Sequence, residues 1–539
     1  MTVPATVYAI FSATASAHPD NLFLSVPARA DRSWLPEGAA WSYAATAAEV
    51  ARLAALYAAA GYGHGHRVAL LLENRPHHFF HFLALNALGV GIVPVNPDYR
   101  RDEMAYLLEH SDTVLAVVAP ERVGDVADAA AQCPRPPAVL DALALPARLP
   151  SAPTAAPRAG VPGPDSECAL LYTSGTTGRP KGCILSNFYF HTAGANYRDL
   201  GGLVDIRPGR DRFYNPLPLF HMNHLAVTAT CAMLTANALI LTERFSPTRW
   251  WPEVTAGGAT IIHYLGVVAP MLLNQPPSPA DRSHGVRFGL GAGIEPQLHA
   301  VFEERFGFPM LEVWGMTETG RITCDGHEPR AVDTRAFGRP FVGFEARVVD
   351  AGDREVPRGT DGELLVRHSA SDPRGGFFSG YLKNEAATEE AWRGGWFHTG
   401  DIVRQDESGM LYFVDRKKHI IRRSGENIAA AEIEAVLQAH EAVAQVAVVG
   451  APDEMREEEV LACVVLMRGL SGDAALARAL FDWCYERLAY FKAPGWVLFL
   501  DRLPTTGTQK VQKTLIFEPG EDPRARPGII DLRSAKKRG

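Results

Sequence analysis

Apolar, β-branched runs alternate with helical patterns from about residue 66 to about residue 340, and this alternation limits the fold more than any other feature. Residues 66–74 (HRVALLLEN) are typical of a buried strand, and residues 76–88 of a helix that begins at Pro76. Similar strand patterns recur as far as residues 310–315 (MLEVWG). Because strands separated by helices pair in parallel, we predict an α/β fold with helix-covered parallel sheets.

The pattern changes after about residue 340. Short strands bounded by glycine, proline and aspartate, such as residues 362–367 (GELLVR), predict a small β-barrel-like subdomain. A compact α+β pattern follows, in which Ile433, Val436, Leu437 and His440 share one helix face. Residues 134–166, rich in proline and alanine, are expected to be a surface connection.

These patterns predict the domain organisation. We expect a large N-terminal domain over residues 1–414 and a small α+β C-terminal domain over 419–520. The N-terminal domain is expected to contain subdomains at about 1–165, 166–340 and 341–414. The last residues, 521–539, are expected to be a flexible tail.

Composition excludes several classes of protein. The 539 residues carry a net charge of −8, which argues against nucleic-acid binding. The longest uncharged stretch, residues 213–242, is interrupted by Asn, Pro and His and does not predict a membrane-spanning helix. The first residues have no basic region typical of a signal peptide. Seven cysteines without a CxxC pair favour a reducing compartment, so we predict a cytoplasmic protein.

A loop rich in glycine and hydroxyl groups follows one predicted strand, within residues 171–182 (LYTSGTTGRPKG). Glycines allow backbone N–H groups to surround an anion, hydroxyls add donors and a lysine adds charge. The GxxxxGK[ST] spacing of a Walker A loop is missing. We predict a phosphate-binding loop, with a solvated turn as the alternative. The residues concerned are Thr173, Ser174, Gly175, Thr176, Thr177, Gly178 and Lys181.

This loop resembles the signature loop of the adenylate-forming superfamily, which includes acyl-CoA synthetases, peptide-synthetase adenylation domains and beetle luciferases. Six further motifs follow in the family's order, so the resemblance covers nearly the whole chain. They are GAG at 291–293, VWGMTE at 313–318, GWFHTGD at 395–401, DRKK at 415–418, SGEN at 424–427 and GTQK at 507–510.

The resemblance implies an ATP site. The loop at 173–178 and Lys181 would hold the β- and γ-phosphates. Thr317 would contact phosphate and, with Glu318, would bind Mg²⁺, which prefers hard oxygen ligands. Trp314 stands where the family usually has a tyrosine against adenine.

Further contacts to the nucleotide and to the acid are implied. Asp401 would accept the ribose hydroxyls, with Arg416 nearby. His221 matches the family's histidine near the substrate carboxylate. The acid pocket would draw on 220–225, 263–266, Gly291, Ala292, Gly293, Gly315 and Met316.

In the family, the C-terminal domain rotates between two half-reactions. Lys510 would bridge the carboxylate and the α-phosphate during adenylation, and Lys513 is a second candidate. Lys418, in the segment 415–418, matches the hinge position. After rotation, the loop with Ser424, Gly425 and Glu426 would line the tunnel for the CoA pantetheine arm.

The sequence therefore predicts an AMP-forming acid–CoA ligase, similar to the crotonobetaine/carnitine–CoA ligase branch. Its expected partners are a small carboxylic acid, ATP, Mg²⁺ and coenzyme A, and a second copy of the chain is a candidate for a homodimer. The alternative is a stand-alone adenylation enzyme that loads the phosphopantetheine of a carrier protein. A nucleotide-binding module without turnover is disfavoured because Lys510, Glu318 and Asp401 are present. A hydrolase is disfavoured because no GxSxG motif occurs.

Overall fold

The structure is a computed structural model that describes residues 4–173, 180–423, 426–453, 456–488, 490–505, 511–518 and 520–536, with the backbone alone at 418, 422, 426, 427 and 457. The contacts within the chain define two compact units. The large unit comprises residues 1–345 and 367–396, and the small unit comprises residues 346–366 and 397–539.

Helices form where the sequence has the expected start signals. Thr6 and Ser186 accept backbone N–H bonds at the starts of two helices, and Pro76 occupies the first turn of another. The helices are α1 (Val7–Ala17), α2 (Tyr43–Ala59), α3 (Pro76–Ala87), α4 (Arg101–His110), α5 (Val123–Ala130), α6 (Asn187–Arg198), α7 (Ala229–Leu234), α8 (Trp250–Gly257), α9 (Val268–Leu273), α10 (Pro296–Phe306), α11 (Glu385–Ala391), α12 (Ala430–Gln438) and α13 (Ala474–Tyr485). A π-helix over Asn223–Thr228 precedes α7.

The strands lie in four groups that we call sheets A to D. They are β1 (Leu22–Val26), β2 (Ala39–Ser42), β3 (Arg67–Leu71), β4 (Gly91–Pro94), β5 (Leu115–Val118), β6 (Ala138–Asp141), β7 (Glu167–Thr173), β8 (Lys181–Ser186), β9 (Arg212–Tyr214), β10 (Ala238–Ile240), β11 (Ile261–Leu265), β12 (Phe288–Ala292), β13 (Met310–Gly315), β14 (Ile322–Cys324), β15 (Glu345–Val349), β16 (Asp361–Arg367), β17 (Gly380–Tyr381), β18 (Phe397–Gln405), β19 (Leu411–Arg416), β20 (Ile420–Arg423), β21 (Glu426–Ala429), β22 (Val443–Asp453), β23 (Glu457–Leu466), β24 (Trp496–Phe499) and β25 (Ile530–Asp531).

Two mainly parallel sheets form the large unit. Sheet A runs β14-β13-β12-β11-β9-β10-β1-β2, and its inner strands are parallel. Sheet B runs β17-β8-β7-β4-β3-β5-β6, with parallel pairing from β7 to β6. Helix α3 is buried on almost every face, which is typical of a helix between packed layers. The expected helix-covered parallel sheets are confirmed.

Sheets C and D belong mainly to the small unit. Sheet C runs β15-β16-β18-β19, and its described pairs are antiparallel. Sheet D contains β21-β20-β23-β24-β25, with β22 paired to β23, and packs an apolar core against α12 and α13.

Two details differ from the domain organisation expected from the order of motifs along the chain. Both large sheets draw strands from either side of residue 165, because β1 joins sheet A and β7 joins sheet B. The segment 134–166 is not only a connection, because β6 pairs with β5 at the edge of sheet B. The domain boundaries themselves stay a prediction.

The segment expected to be a flexible tail, 521–539, contains regular structure within its described residues. Strand β25 pairs with β24. Beyond it, the fully buried Lys536 ammonium lies 2.5 Å from the Glu459 carboxylate, so the end of the described chain is held in the small unit. None of the helices in the described part of the chain is long and apolar enough to cross a bilayer.

Candidate active site

The two strands that flank the predicted phosphate loop, β7 and β8, each carry one predicted phosphate ligand. Thr173 ends β7, Lys181 begins β8, and the two residues are direct partners in the antiparallel register. Ser174, Gly175, Thr176, Thr177 and Gly178 lie outside the described residues. The hairpin therefore brings Thr173 and Lys181 to the two ends of the predicted phosphate loop.

A chain of contacts joins Lys181 to Glu318, which is distant in sequence. The Lys181 ammonium lies 4.9 Å from the centre of the Tyr381 ring, a cation–π contact. The Tyr381 hydroxyl donates a hydrogen bond of 2.9 Å to Oε1 of Glu318. Burial, and then the Glu318 carboxylate, raise the pKa of Tyr381, so its hydroxyl stays protonated and remains a donor.

Tyr381 is positioned by the sheet and was not found from the sequence. Strand β17 places Tyr381 opposite Cys183 of β8. The Cys183 thiol lies within hydrogen-bonding reach of the Thr173 and Glu318 side chains. Burial, and then the Glu318 carboxylate, raise the pKa of Cys183, so it stays a neutral thiol. Thr173, Lys181 and Glu318 thus share one cluster.

Thr317 and Glu318 are buried in the turn that follows β13. The Met316 N–H donates to the Thr319 hydroxyl over 3.1 Å, and the Phe378 N–H donates to the Glu318 carbonyl over 2.9 Å. No cluster of three or more His, Cys, Asp or Glu side chains suited to a metal occurs among the described residues. The Glu318 carboxylate, which follows Thr317 in the chain, nevertheless suits Mg²⁺. This ion is usually bound by one or two carboxylates together with substrate phosphates.

The GAG segment at 291–293 is held by a buried carboxylate that the sequence analysis missed. Glu312 accepts hydrogen bonds from the Gly293 N–H (2.8 Å), the Ile294 N–H (3.2 Å) and the Tyr264 hydroxyl (2.6 Å). Burial raises the pKa of Glu312, against the effect of these bonds. The signal was a glutamate within an apolar strand.

Two glycines of this segment are required by the backbone. A Cβ on Gly291 would lie 2.2 Å from the Tyr264 carbonyl oxygen. Gly293 has φ +86°, in the left-handed region that favours glycine. Ala292 ends β12 between them. These constraints explain why glycine stands at both positions.

The predicted adenine contact lies at the end of β13. The Trp314 ring is buried, with centroid distances of 6.0 Å to Phe337 and 6.1 Å to Phe344. The next two residues, Gly315 and Met316, lead into the turn with Glu318. Stacking of Trp314 on adenine stays a prediction.

His221 and His224 lie in different environments although they are three residues apart. The His221 side chain is exposed. His224 is fully buried, and its Nδ1 lies 2.7 Å from the Leu217 carbonyl oxygen. Burial lowers the pKa of His224 to about 4, so it is neutral at physiological pH.

Asp401 and Arg416 form a pair in the small unit. They are register partners on β18 and β19, and Nε of Arg416 lies 2.7 Å from Oδ1 of the fully buried Asp401. Glu363 supports this turn, because it accepts the Gly400 N–H over 3.2 Å and pairs with the Lys417 ammonium at 2.7 Å. Burial opposes ionisation of Glu363, but hydrogen bonds with His398 and Lys417 outweigh it and lower the pKa to about 2.

The predicted hinge segment is bonded to the first turn of α12. Oδ2 of Asp415 accepts the Ala431 N–H over 2.9 Å. Lys418 lies in a short 3-10 turn, Lys417–His419, and its side chain lies outside the described part. Glu426 begins β21, whereas Ser424 and Gly425 lie outside the described residues.

Lys510 also lies outside the described residues, within 506–510. The residues that flank this segment, Thr505 and Val511, form an antiparallel bridge. The second candidate, Lys513, is mostly buried and pairs with Glu434 at 2.7 Å. An ion pair within the small unit therefore accounts for Lys513.

Comparison with known sequences identifies the class. Residues 11–382 match the AMP-binding enzyme family, and residues 432–510 match the AMP-binding enzyme C-terminal domain. The chain therefore belongs to the AMP-binding enzyme family.

Similar proteins define the reaction. The chain is 32% identical to sulfoacetate–CoA ligase of Cupriavidus necator, over 94% of this chain and 96% of that protein. It is 31% identical to crotonobetaine/carnitine–CoA ligase of Proteus mirabilis, over 88% and 92%. The protein is an AMP-forming acid–CoA ligase, as the sequence predicts, and its reaction uses ATP, Mg²⁺ and CoA.

Solved structures agree with this assignment. ATP-bound MatB from Rhodopseudomonas palustris aligns with a TM-score of 0.79 at 26% identity, over 95% of this chain and 98% of that chain. O-succinylbenzoate CoA synthetase (MenE) from Bacillus subtilis, in complex with AMP, also aligns with a TM-score of 0.79 at 26% identity, over 94% and 98%.

Proposed function

We propose that this ligase activates a short carboxylic acid that carries a second polar group. The similar enzymes named above act on sulfoacetate and on crotonobetaine or carnitine, which are acids of this kind. The observation that carries the catalytic assignment is the Lys181–Tyr381–Glu318 chain of contacts. It joins an ammonium for phosphate and a carboxylate for Mg²⁺ in one cluster.

Each group in the first half-reaction has an assigned role. The loop at 173–178 and Lys181 bind the β- and γ-phosphates, and Thr317 and Glu318 hold Mg²⁺. When bound to Thr317 and Glu318, Mg²⁺ would supply positive charge that offsets the charge of the phosphates. The acid carboxylate attacks the α-phosphorus, the bond to the β-phosphate oxygen breaks and pyrophosphate leaves. Lys510 stabilises the charge that develops at the α-phosphate.

Other residues orient the substrates. Trp314 packs against adenine, and Asp401 accepts the ribose hydroxyls with Arg416 beside it. The exposed His221 contacts the acid carboxylate. Holding the carboxylate in line with the α-phosphorus supplies the entropic part of catalysis.

The second half-reaction transfers the acyl group. The CoA sulfur attacks the acyl carbon, the bond to the phosphate oxygen breaks and AMP leaves. We propose that the C-terminal domain rotates about Lys418 between the two steps, which removes Lys510 and brings Ser424, Gly425 and Glu426 to the pantetheine. The domain boundaries at 414 and 419 are part of this proposal.

The reaction is proposed to occur in the cytoplasm, because all seven cysteines are free thiols. A homodimer is a candidate assembly, which light scattering would test. Neither point affects the catalytic assignment.

A screen tests the proposed function. Pyrophosphate release is measured with short, medium-length, aromatic and betaine-like acids, with and without CoA. Highest kcat/KM for a short polar acid, with a thioester formed only when CoA is present, supports the proposal. Preference for medium-length or aromatic acids, or transfer to a carrier protein but not to CoA, contradicts it.

A further inference from the structure

A buried network follows β9 and has a defined donor direction. Oδ1 of Asn215 accepts the Leu217 N–H over 3.0 Å. Because a backbone N–H only donates, Oδ1 of Asn215 must face it, which fixes the orientation of the Asn215 amide. The Nδ2 group of Asn215 therefore donates in the opposite direction.

The two N–H groups of Asn215 both have acceptors. Nδ2 of Asn215 lies 2.9 Å from Oδ1 of Asn223 and 2.9 Å from Oγ1 of Thr228. The Thr228 hydroxyl in turn donates to the Asn223 carbonyl over 2.8 Å. The Thr228 proton is thus used, and its oxygen is left to accept from Asn215.

This network determines how the Asn223 amide is turned. Since Asn215 donates to it, Asn223 must present its oxygen to Asn215, and its own Nδ2 group must point away. Within the described part of the chain, the Asn223 Nδ2 group makes no hydrogen bond to protein. Asn223 is partly exposed, so two N–H donors are available to a ligand.

Asn223 is hydrogen-bonded to a residue at the carboxyl end of a strand of sheet A. Asn215 directly follows β9, and Thr228 lies 3.4 Å from Nε2 of His263 on β11. In open α/β sheets, ligands bind outside the carboxyl ends of the strands. The carboxyl ends of β12 and β13, at Ala292 and Gly315, lie on this same edge of sheet A because these strands are parallel.

The backbone around Asn223 has a form that recurs at functional sites. Asn223 begins the π-helix Asn223–Thr228, and a π-helical turn is a rare element that often marks such a site. The wide turn allows the Thr228 hydroxyl to reach the Asn223 carbonyl. The network therefore holds the Asn223 amide in one orientation before substrate binds.

We propose that the Asn223 amide recognises the far end of the acid and selects an oxygen acceptor, such as a sulfonate, a second carboxylate or a hydroxyl, over a trimethylammonium group. This inference rests on the proposed function and names its substrate class. An N–H donor pairs with an anionic oxygen, whereas a quaternary ammonium offers no acceptor and leaves the donors unpaired.

Three acids of similar shape test the inference: sulfoacetate, trimethylammonioacetate and tert-butylacetate. Wild-type enzyme is expected to use sulfoacetate with a kcat/KM at least about tenfold above those of the other two. Asn223→Asp keeps an oxygen for Asn215 but replaces the donors with a carboxylate oxygen. The kcat/KM of the variant should fall on the order of 100-fold with sulfoacetate and should rise with trimethylammonioacetate.

Two controls separate selectivity from damage to the fold. In Asn223→Asp, the KM for ATP should change less than about threefold, since ATP binding does not depend on the lost hydrogen bond. Asn274→Asp makes the same substitution at an exposed position of the large unit and should leave the order of preference unchanged.

The outcomes distinguish the two proposals. If none of the short polar acids causes the wild-type enzyme to release AMP, the proposed function fails. If it is active but prefers trimethylammonioacetate, or acids without a far oxygen group, the role of Asn223 is wrong while the proposed reaction stands. An equal fall in kcat/KM for all three acids in Asn223→Asp would also contradict the selective role of Asn223.

Discussion

Tyr381 orients the carboxylate of Glu318, and Glu318 supplies the negative charge. Tyr381 donates to one oxygen of the carboxylate, and its ring lies against the Lys181 ammonium. The hydrogen bond orients Glu318, and the proposed metal contact needs its negative charge. Substitutions that separate orientation from charge should therefore have different effects.

Glu318→Gln keeps the size of the side chain but removes the charge proposed to hold Mg²⁺. We expect ATP–pyrophosphate exchange to fall by about 100-fold or more, and more Mg²⁺ to be required. Tyr381→Phe removes one hydrogen bond to a charged group, worth about 1.5 kcal/mol. The ATP–pyrophosphate exchange rate should therefore fall roughly tenfold. Exchange rates across a Mg²⁺ titration measure both. A near-normal rate for Glu318→Gln would contradict the metal role.

At this scale, the sequence predicted roles for residues that lie in ordered motifs and missed the residues that contact them in the fold. Lys181, Thr317 and Glu318 stand in such motifs. Tyr381 and Glu312 do not, because their partners are brought to them by strand pairing across the fold. A buried carboxylate in a strand has no short-range signature, and its meaning depends on which N–H groups the neighbouring strand presents.

Helix α3 contributes two buried histidines, His78 and His81, and the π-helix and β11 contribute one each, His224 and His263. Burial lowers the pKa values of His78, His81 and His263 to about 3 and that of His224 to about 4. In the unfolded chain a histidine titrates near about 6.5. The folded pKa values are depressed, so the stability they contribute is present above about pH 6.5 and is lost as the pH falls towards the folded values.

The large unit should therefore become less stable between about pH 6.5 and pH 4, by up to about 1.4 kcal/mol per pH unit for each histidine. His224→Asn keeps a donor for the Leu217 carbonyl and should remove about a quarter of this dependence. Urea unfolding at several pH values measures the free energy of unfolding. An unchanged slope in the variant would show that His224 is not buried in its neutral form.

Most elements were predictable because their apolar runs have the period of one structure. The strands with residues 66–74 and 310–315 are examples, found as β3 and β13. Strand β6 lies in a proline-rich segment, and β25 follows a glycine- and charge-rich one, so neither has a clear local pattern. Both form because a neighbouring strand, β5 or β24, offers an edge with unpaired backbone groups.

On the scale of the whole molecule, the α/β class was predicted but the strand order was not. Alternation along the chain indicates parallel sheets without stating which strands are neighbours. Strand β1 pairs with β10, more than 200 residues away in the chain. Such pairing depends on long-range packing of apolar faces, and a local pattern does not contain it.

The two half-reactions should separate in variants of the C-terminal lysines. Lys510→Ala is expected to lower acyl-AMP formation by about 100-fold or more, because the transition-state charge loses its cation. Thioester formation from supplied acyl-AMP should stay within a few-fold of wild type. Lys513→Ala is the matched control, since Lys513 pairs with Glu434, and should retain adenylation. Equal failure of both halves in Lys510→Ala would contradict its assigned role.

The central claim is that the acid is joined to AMP before it is joined to CoA, and oxygen transfer tests this most directly. The best acid from the screen is labelled with ¹⁸O in its carboxylate and incubated with enzyme, MgATP and CoA. Attack on the α-phosphorus predicts AMP that carries one ¹⁸O atom, with unlabelled pyrophosphate. Thioester accompanied by unlabelled AMP, or by label in inorganic phosphate, would contradict the acyl-AMP route.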